Sequence, residues 1–127
     1  MRTSLIISLV LLALTITGGM LEEKETRALS QRYESAAREM RILAEKSQWA
    51  RASEAASDYL EDWRKTTGWQ QMLINHEDID DVTLALERLQ AAIDARDQGS
   101  CYEACAELRE NARHIYHRDA FTLGNVL

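Results

Sequence analysis

"SQWARASEAASDYLEDWRKTT", residues 47–67, decides the fold. Within it Trp49, Ala52, Ala56, Tyr59, Trp63 and Thr66 recur at spacings of 3, 4, 3, 4 and 3. That is the period of one face of an α-helix, whereas a half-buried strand alternates every second residue. Between these positions stand Arg51, Glu54, Asp58, Glu61 and Lys65, which suit a face that meets water. Ser47 reads as the N-cap of this helix and Thr66-Thr67-Gly68 as its end.

The same period continues on both sides. Upstream, Leu29, Tyr33, Ala36, Met40 and Leu43 form one apolar stripe. Downstream, Ile79, Val82, Leu86, Leu89 and Ile93 form a third, which Gly99 closes. Ser100-Cys101-Tyr102-Glu103 has the capping-box form and opens a fourth stripe of Cys101, Cys105, Leu108, Ala112 and Ile115. The tail "DAFTLGNVL", residues 119–127, is expected to fold back on the bundle. Moving the second stripe by 49 residues lands on the fourth, and the first falls on the third at about 50. This suggests two helical hairpins. Any two amphipathic helices can be aligned in this way, so a repeat and a plain bundle both stay open. The chain contains no proline and is rich in Ala, Leu, Glu and Arg, which favours helix over sheet. The expected fold is all-α: an N-terminal transmembrane or signal helix followed by a four-helix antiparallel bundle of two hairpins.

The N-terminal segment "MRTSLIISLVLLALTITGGML" has one charged side chain, Arg2, and then nineteen uncharged residues, 3–21. As a helix these span about 28 Å, close to the roughly 30 Å hydrocarbon core of a bilayer. Arg2 precedes the run and Glu22, Glu23 and Glu25 follow it. The positive-inside bias then puts the N-terminus in the cytoplasm and the rest outside the cell membrane. A signal anchor is the leading reading. The alternative is a cleaved signal peptide with a secreted helical product, although no Ala-x-Ala precedes the acidic segment. Residues 1–21 are thus a signal anchor or signal peptide, and residues 22–127 an extracytoplasmic helical domain.

Composition narrows the function. The net charge is −6, and the Arg residues alternate with acids along helices, so the basic stripe that nucleic-acid binding needs is missing. Cys101 and Cys105, the only cysteines, sit four apart on one helix. Their Cβ vectors run parallel, which suits a disulfide poorly, and they read as core residues. With His114 and His117 they sketch a zinc pattern, but Cys105 and His114 would be about 13 Å apart along the axis, too far to share one ion.

The stretch "GWQQMLINHEDIDDV", residues 68–82, is the richest in chemistry. Asp78, Asp80 and Asp81 fall in the first turns of the third helix, where its dipole stabilises negative charge, so most of the acids need no catalytic explanation. A His-Glu-x-x-His metal motif would need a second histidine at position 80, where Asp80 stands. Capping requires neither Trp69 nor His76. Trp69, His76, Glu77 and Asp80 are therefore the candidate interaction surface, with no catalytic, cofactor-binding or metal residue assigned.

Trp63 and Trp69, the run "INHEDID" (74–80), the stripe "LALERLQAAIDARD" (84–97) and the terminal "LGNVL" (123–127) together resemble a family of small bacterial membrane proteins. It is known as domain of unknown function 4363. The resemblance implies one N-terminal hydrophobic segment and a short helical body, without an established activity. It also implies a partner within the membrane. The functional expectation is a non-enzymatic, membrane-anchored module that binds another envelope or membrane protein. Its partners are the membrane, through residues 3–21, and that protein, with no nucleic acid, no small-molecule substrate and no cofactor. A metal-binding or enzymatic domain centred on His76 is the remote alternative.

Overall fold

No proline interrupts the chain, and helix runs through nearly all of it. A computed structural model describes residues 1–70 and 76–126; the side chains at 22–23, 69–70 and 116–126 lie outside that description. Four helices result: α1 (Arg2–Glu45), α2 (Trp49–Gln70), α3 (His76–Asp94) and α4 (Gln98–Val126). Among the described residues there is no strand. The apolar segment and the first amphipathic stripe form one unbroken helix of 44 residues, about 66 Å long. The helix therefore passes straight across the boundary at residue 21. Residues 119–126 continue α4 rather than forming a separate tail.

The four expected stripes are the core. Tyr33, Met40, Trp63, Leu86, Leu89 and Leu108 are its largest fully buried side chains. Small residues such as Ala36, Ala52, Ala56, Ala85 and Ala112 lie buried among them and let the backbones approach closely. Trp63 is wholly buried, while Trp49 is only half-buried against the core. Packing runs round a ring: α1 on α2, α2 on α3, α3 on α4 and α4 back on α1.

The turns differ from the sequence reading. Ser47 is not an N-cap and Gly99 is not a stop. Ser47 and Arg96 each adopt a left-handed backbone, with φ of 53° at both. Ser47 N–H donates to the Ala44 carbonyl (3.1 Å) and Gln48 N–H to that of Leu43 (3.0 Å). In the second turn Arg96 N–H donates to Ile93 (2.9 Å) and Asp97 N–H to Ala92 (3.0 Å). Both are Schellman closures, made here without the glycine that usually takes the left-handed position. Asp97, not Ser100, caps α4: its carboxylate accepts from the Ser100 N–H (3.3 Å) and hydroxyl (2.9 Å). Those hydrogen bonds lower the Asp97 pKa, the one from the Ser100 hydroxyl most. Gly99 lies inside α4 and Gly68 inside α2, so Thr66-Thr67-Gly68 is no break.

The 49-residue offset recurs in three dimensions. Each turn bond has its counterpart 49 positions on, as do the first bonds of the following helices, Ala52 N–H to Gln48 and Cys101 N–H to Asp97. Buried residues pair in the same way: Ala36 with Ala85, Met40 with Leu89, Ala56 with Cys105, Trp63 with Ala112. The two helical hairpins thus share one local geometry.

Candidate functional site

Cross-helix contacts fix the relative heights of the helices. Arg32 meets Asp62 at 2.5 Å, and the Tyr33 hydroxyl donates to the same carboxylate at 3.5 Å. The Trp63 indole N–H donates to the Thr83 hydroxyl at 2.9 Å. Arg113 pairs with Glu34 at 2.9 Å. Residues 32–34, 62–63, 83 and 113 therefore share one level. From there Thr26, Gly68 and His76 each lie about 8–10 Å toward the N-terminal half of α1. The candidate surface consequently stands at the end of the bundle where the apolar segment leaves it.

At that end His76, Glu77 and Asp80 are exposed at the start of α3. The side chain of Trp69 lies outside the described residues. Asp78 departs from the sequence reading. It is only 5% exposed and turns inward with Ile79, while its neighbours face solvent.

Asp78 belongs to a group that sequence reasoning missed. The buried polar residues of the described chain are Thr26, Ser30, Thr67 and Asp78, and all four stand at this end. Thr67 satisfies its hydroxyl by donating to the Trp63 carbonyl at 2.8 Å. The dipole at the start of α3 favours the Asp78 carboxylate, and a buried carboxylate is tolerable only with such support. A signal was present: Asp78 stands four residues before Val82, and Ser30 and Thr26 stand one and two turns before Tyr33. Among the described residues the buried polar side chains are therefore confined to the end near the apolar segment, where they lie alongside buried Leu29 and Ile79.

The thiols are buried and unpaired. Burial, and then the neighbouring Cys101, push the Cys105 pKa up to about 12, so both sulfurs stay protonated and poorly nucleophilic. Among the described residues no group of three or more His, Cys, Asp or Glu side chains is placed to hold a metal ion. A surface furrow of about 490 Å³ lies elsewhere, between α3 and α4. It is the counterpart, residue for residue at the 49 offset, of a furrow of about 350 Å³ between α1 and α2. Ala91, Ala92 and Ala95 replace Ile42, Leu43 and Lys46, which makes the second furrow roomier.

These features define a small all-helical protein with an exposed apolar helical segment and a bundle whose described buried polar residues gather at the end beside it. The chain belongs to the family described as domain of unknown function (DUF4363), whose model matches residues 21–126. No curated protein and no solved structure matches the chain.

Proposed function

We propose that the protein is a membrane-anchored helical module, without enzymatic activity, that binds another envelope or membrane protein. One observation carries the reading. Residues 2–21 are the exposed end of a helix long and apolar enough to cross a membrane, and no part of that stretch is buried by the bundle. So much apolar surface needs a non-aqueous surrounding. Arg2 before the segment and the acids after it favour an N-terminus inside and a bundle outside. The succession of pairs between α1 and α4, Ala44 with Gln98 and then Glu34 with Arg113, supports an antiparallel arrangement of helices. Trp69, His76, Glu77 and Asp80 are the proposed partner surface, because they stand at the end next to the anchor.

In-cell crosslinking of the full chain with mass spectrometry tests the partner. His76→Ala and Glu77→Ala are expected to keep the helical content and to weaken one crosslinked complex. A chain that yields no crosslinked partner in intact membranes removes the interaction reading. Intact mass separately decides the anchor: loss of about twenty residues identifies a cleaved, secreted product.

A further inference from the structure

Beyond residue 21 the described surface exposes only two large apolar side chains, Ile42 and Leu84. They stand on opposite sides of the bundle. The helices pack in the cyclic order α1, α2, α3, α4, so the furrow between α1 and α2 faces away from the one between α3 and α4. Ile42 lines the first furrow. Leu84 precedes Ala91 of the second by two helical turns and so shares its face of α3.

The two sides are complementary. Ile42 stands four residues after Arg38 and four before Lys46, and all three are exposed. They make one ridge with a cation at each end. The acids nearest that ridge are engaged: Glu39 accepts from the Tyr59 hydroxyl, and Glu45 pairs with Arg41 at 3.2 Å. The second furrow has the reverse character. Its floor is Ala91, Ala92, Ala95 and Ala104, and three acids, Asp97, Glu103 and Glu107, line it. Its one cation among the described residues, Arg88, is held by Glu107 at 2.8 Å. In the first furrow the positions equivalent to Ala91 and Ala95 are Ile42 and Lys46 themselves. The second furrow thus lacks both the apolar chain and the cation that the first carries.

Their heights match. From the level shared by residues 32–34, 83 and 113, Ile42 and Ala91 both lie about 12–15 Å farther from the apolar segment. On the same scale Arg38 and Glu107 lie at about 6–9 Å, and Lys46 and Glu103 at about 15–21 Å.

We propose that a second copy of the chain docks its Arg38–Ile42–Lys46 ridge in the furrow between α3 and α4. Two copies standing upright in one membrane bring ridge and furrow to the same height with no shift along the bundle axis, a step that rests on the anchor reading above. Ile42 fills the alanine-floored space, Lys46 meets Glu103, and Arg38 meets Glu107 with its stem over Leu84. One contact covers both exposed apolar side chains. Ridge and furrow lie on opposite sides of each copy, so the contact is heterologous. A pair keeps one free ridge and one free furrow, and further copies add to it in a row.

The test uses full chains co-expressed in membranes, one carrying Ile42→Cys and the other, with a different tag, Ala91→Cys. Copper-phenanthroline is then added. A disulfide-linked dimer of the two is expected in the mixture and none from either chain expressed alone. Both native thiols are buried, so the parent chain is the blank. Lys46→Glu on the first chain is expected to lose most of the linked dimer, and Glu103→Lys added to the second to restore it. A linked dimer formed as well by Ile42→Cys alone assigns a ridge-to-ridge contact and overturns the docking. Membrane-bound chains that give no mixed dimer overturn the docking and leave the anchor standing. A mixed dimer formed by chains found in the soluble fraction overturns the anchor and leaves the docking standing.

Discussion

The ring of Tyr33 on α1 meets the Trp63 indole on α2 edge-on, with centroids 4.9 Å apart. On its far side the indole N–H donates to Thr83 on α3, and that hydroxyl donates onward to the Ile79 carbonyl (2.8 Å). One buried side chain thus ties three helices, through area on one side and a directed bond on the other. Trp63→Ala is expected to cost about 3–5 kcal/mol by removing the largest core side chain. Thr83→Val keeps the shape but leaves a buried N–H without its acceptor, at a cost of about 1–3 kcal/mol. Urea unfolding followed by circular dichroism measures both. A Thr83→Val midpoint equal to that of the parent chain is the result that breaks this account.

Stability should fall in alkali. Burial first, then Asp62, raise the Tyr33 pKa far above its usual value of 10.0. Burial, then the hydrogen bond the Tyr59 hydroxyl donates to Glu39, push Tyr59 up to about 12, and burial takes Cys105 from 9.0 to about 12. Each group holds its proton more tightly when folded. Its contribution is therefore complete below the unfolded-state pKa and is lost as pH rises through the folded one. Urea midpoints are expected to hold up to about pH 9, then decline toward pH 12. Cys105→Ala should remove the earliest part of that decline and Tyr33→Phe the part above pH 10. A decline of the same slope in both variants contradicts the assignment.

Gly68 tests the helix where the sequence suggested a break. It lies within α2, and a Cβ added there meets nothing within 4 Å. Gly68→Ala is expected to stabilise by about 0.5–1 kcal/mol, because alanine loses less backbone freedom on entering a helix. The expected readout is a higher midpoint with the urea slope unchanged. A lower midpoint would mean that the backbone here is not helical in solution.

What could be read in advance follows from which interactions are periodic. The stripes through Tyr33, Trp63, Leu89 and Leu108 were legible because burial on a helix repeats every three or four residues. The turns were not. Ser47 and Gly99 were assigned by the usual preferences of their residue types, yet Ser47 and Arg96 accept left-handed geometry because the two Schellman bonds of each turn require it. The candidate surface was legible only in part. His76, Glu77 and Asp80 are exposed as a surface requires, but Asp78, in the same acidic run, is buried. Its helical register decides that, and an acid at a core position is indistinguishable by residue type from one at a cap.

The equivalence of the two turns yields a paired prediction. A left-handed residue other than glycine carries a cost of about 1–2 kcal/mol, partly offset in a comparison with glycine by the greater freedom glycine loses on folding. Arg96→Gly is therefore expected to stabilise by about 0.5–1 kcal/mol. Ser47→Gly relieves the same geometry but also loses the Ser47 hydroxyl, which accepts from the Gln98 amide at 3.3 Å. That amide keeps its shorter bond, 2.9 Å to the Ala44 carbonyl, so the gain at position 47 should be only slightly smaller. The two turns lie side by side, with Ser47 and Arg96 lining one furrow, so the double variant is expected to depart from the sum of the single effects by about 0.5 kcal/mol or more. Destabilisation by Arg96→Gly would show that the Arg96 side chain contributes more than its backbone costs, and the two turns would then be alike in geometry but not in energy.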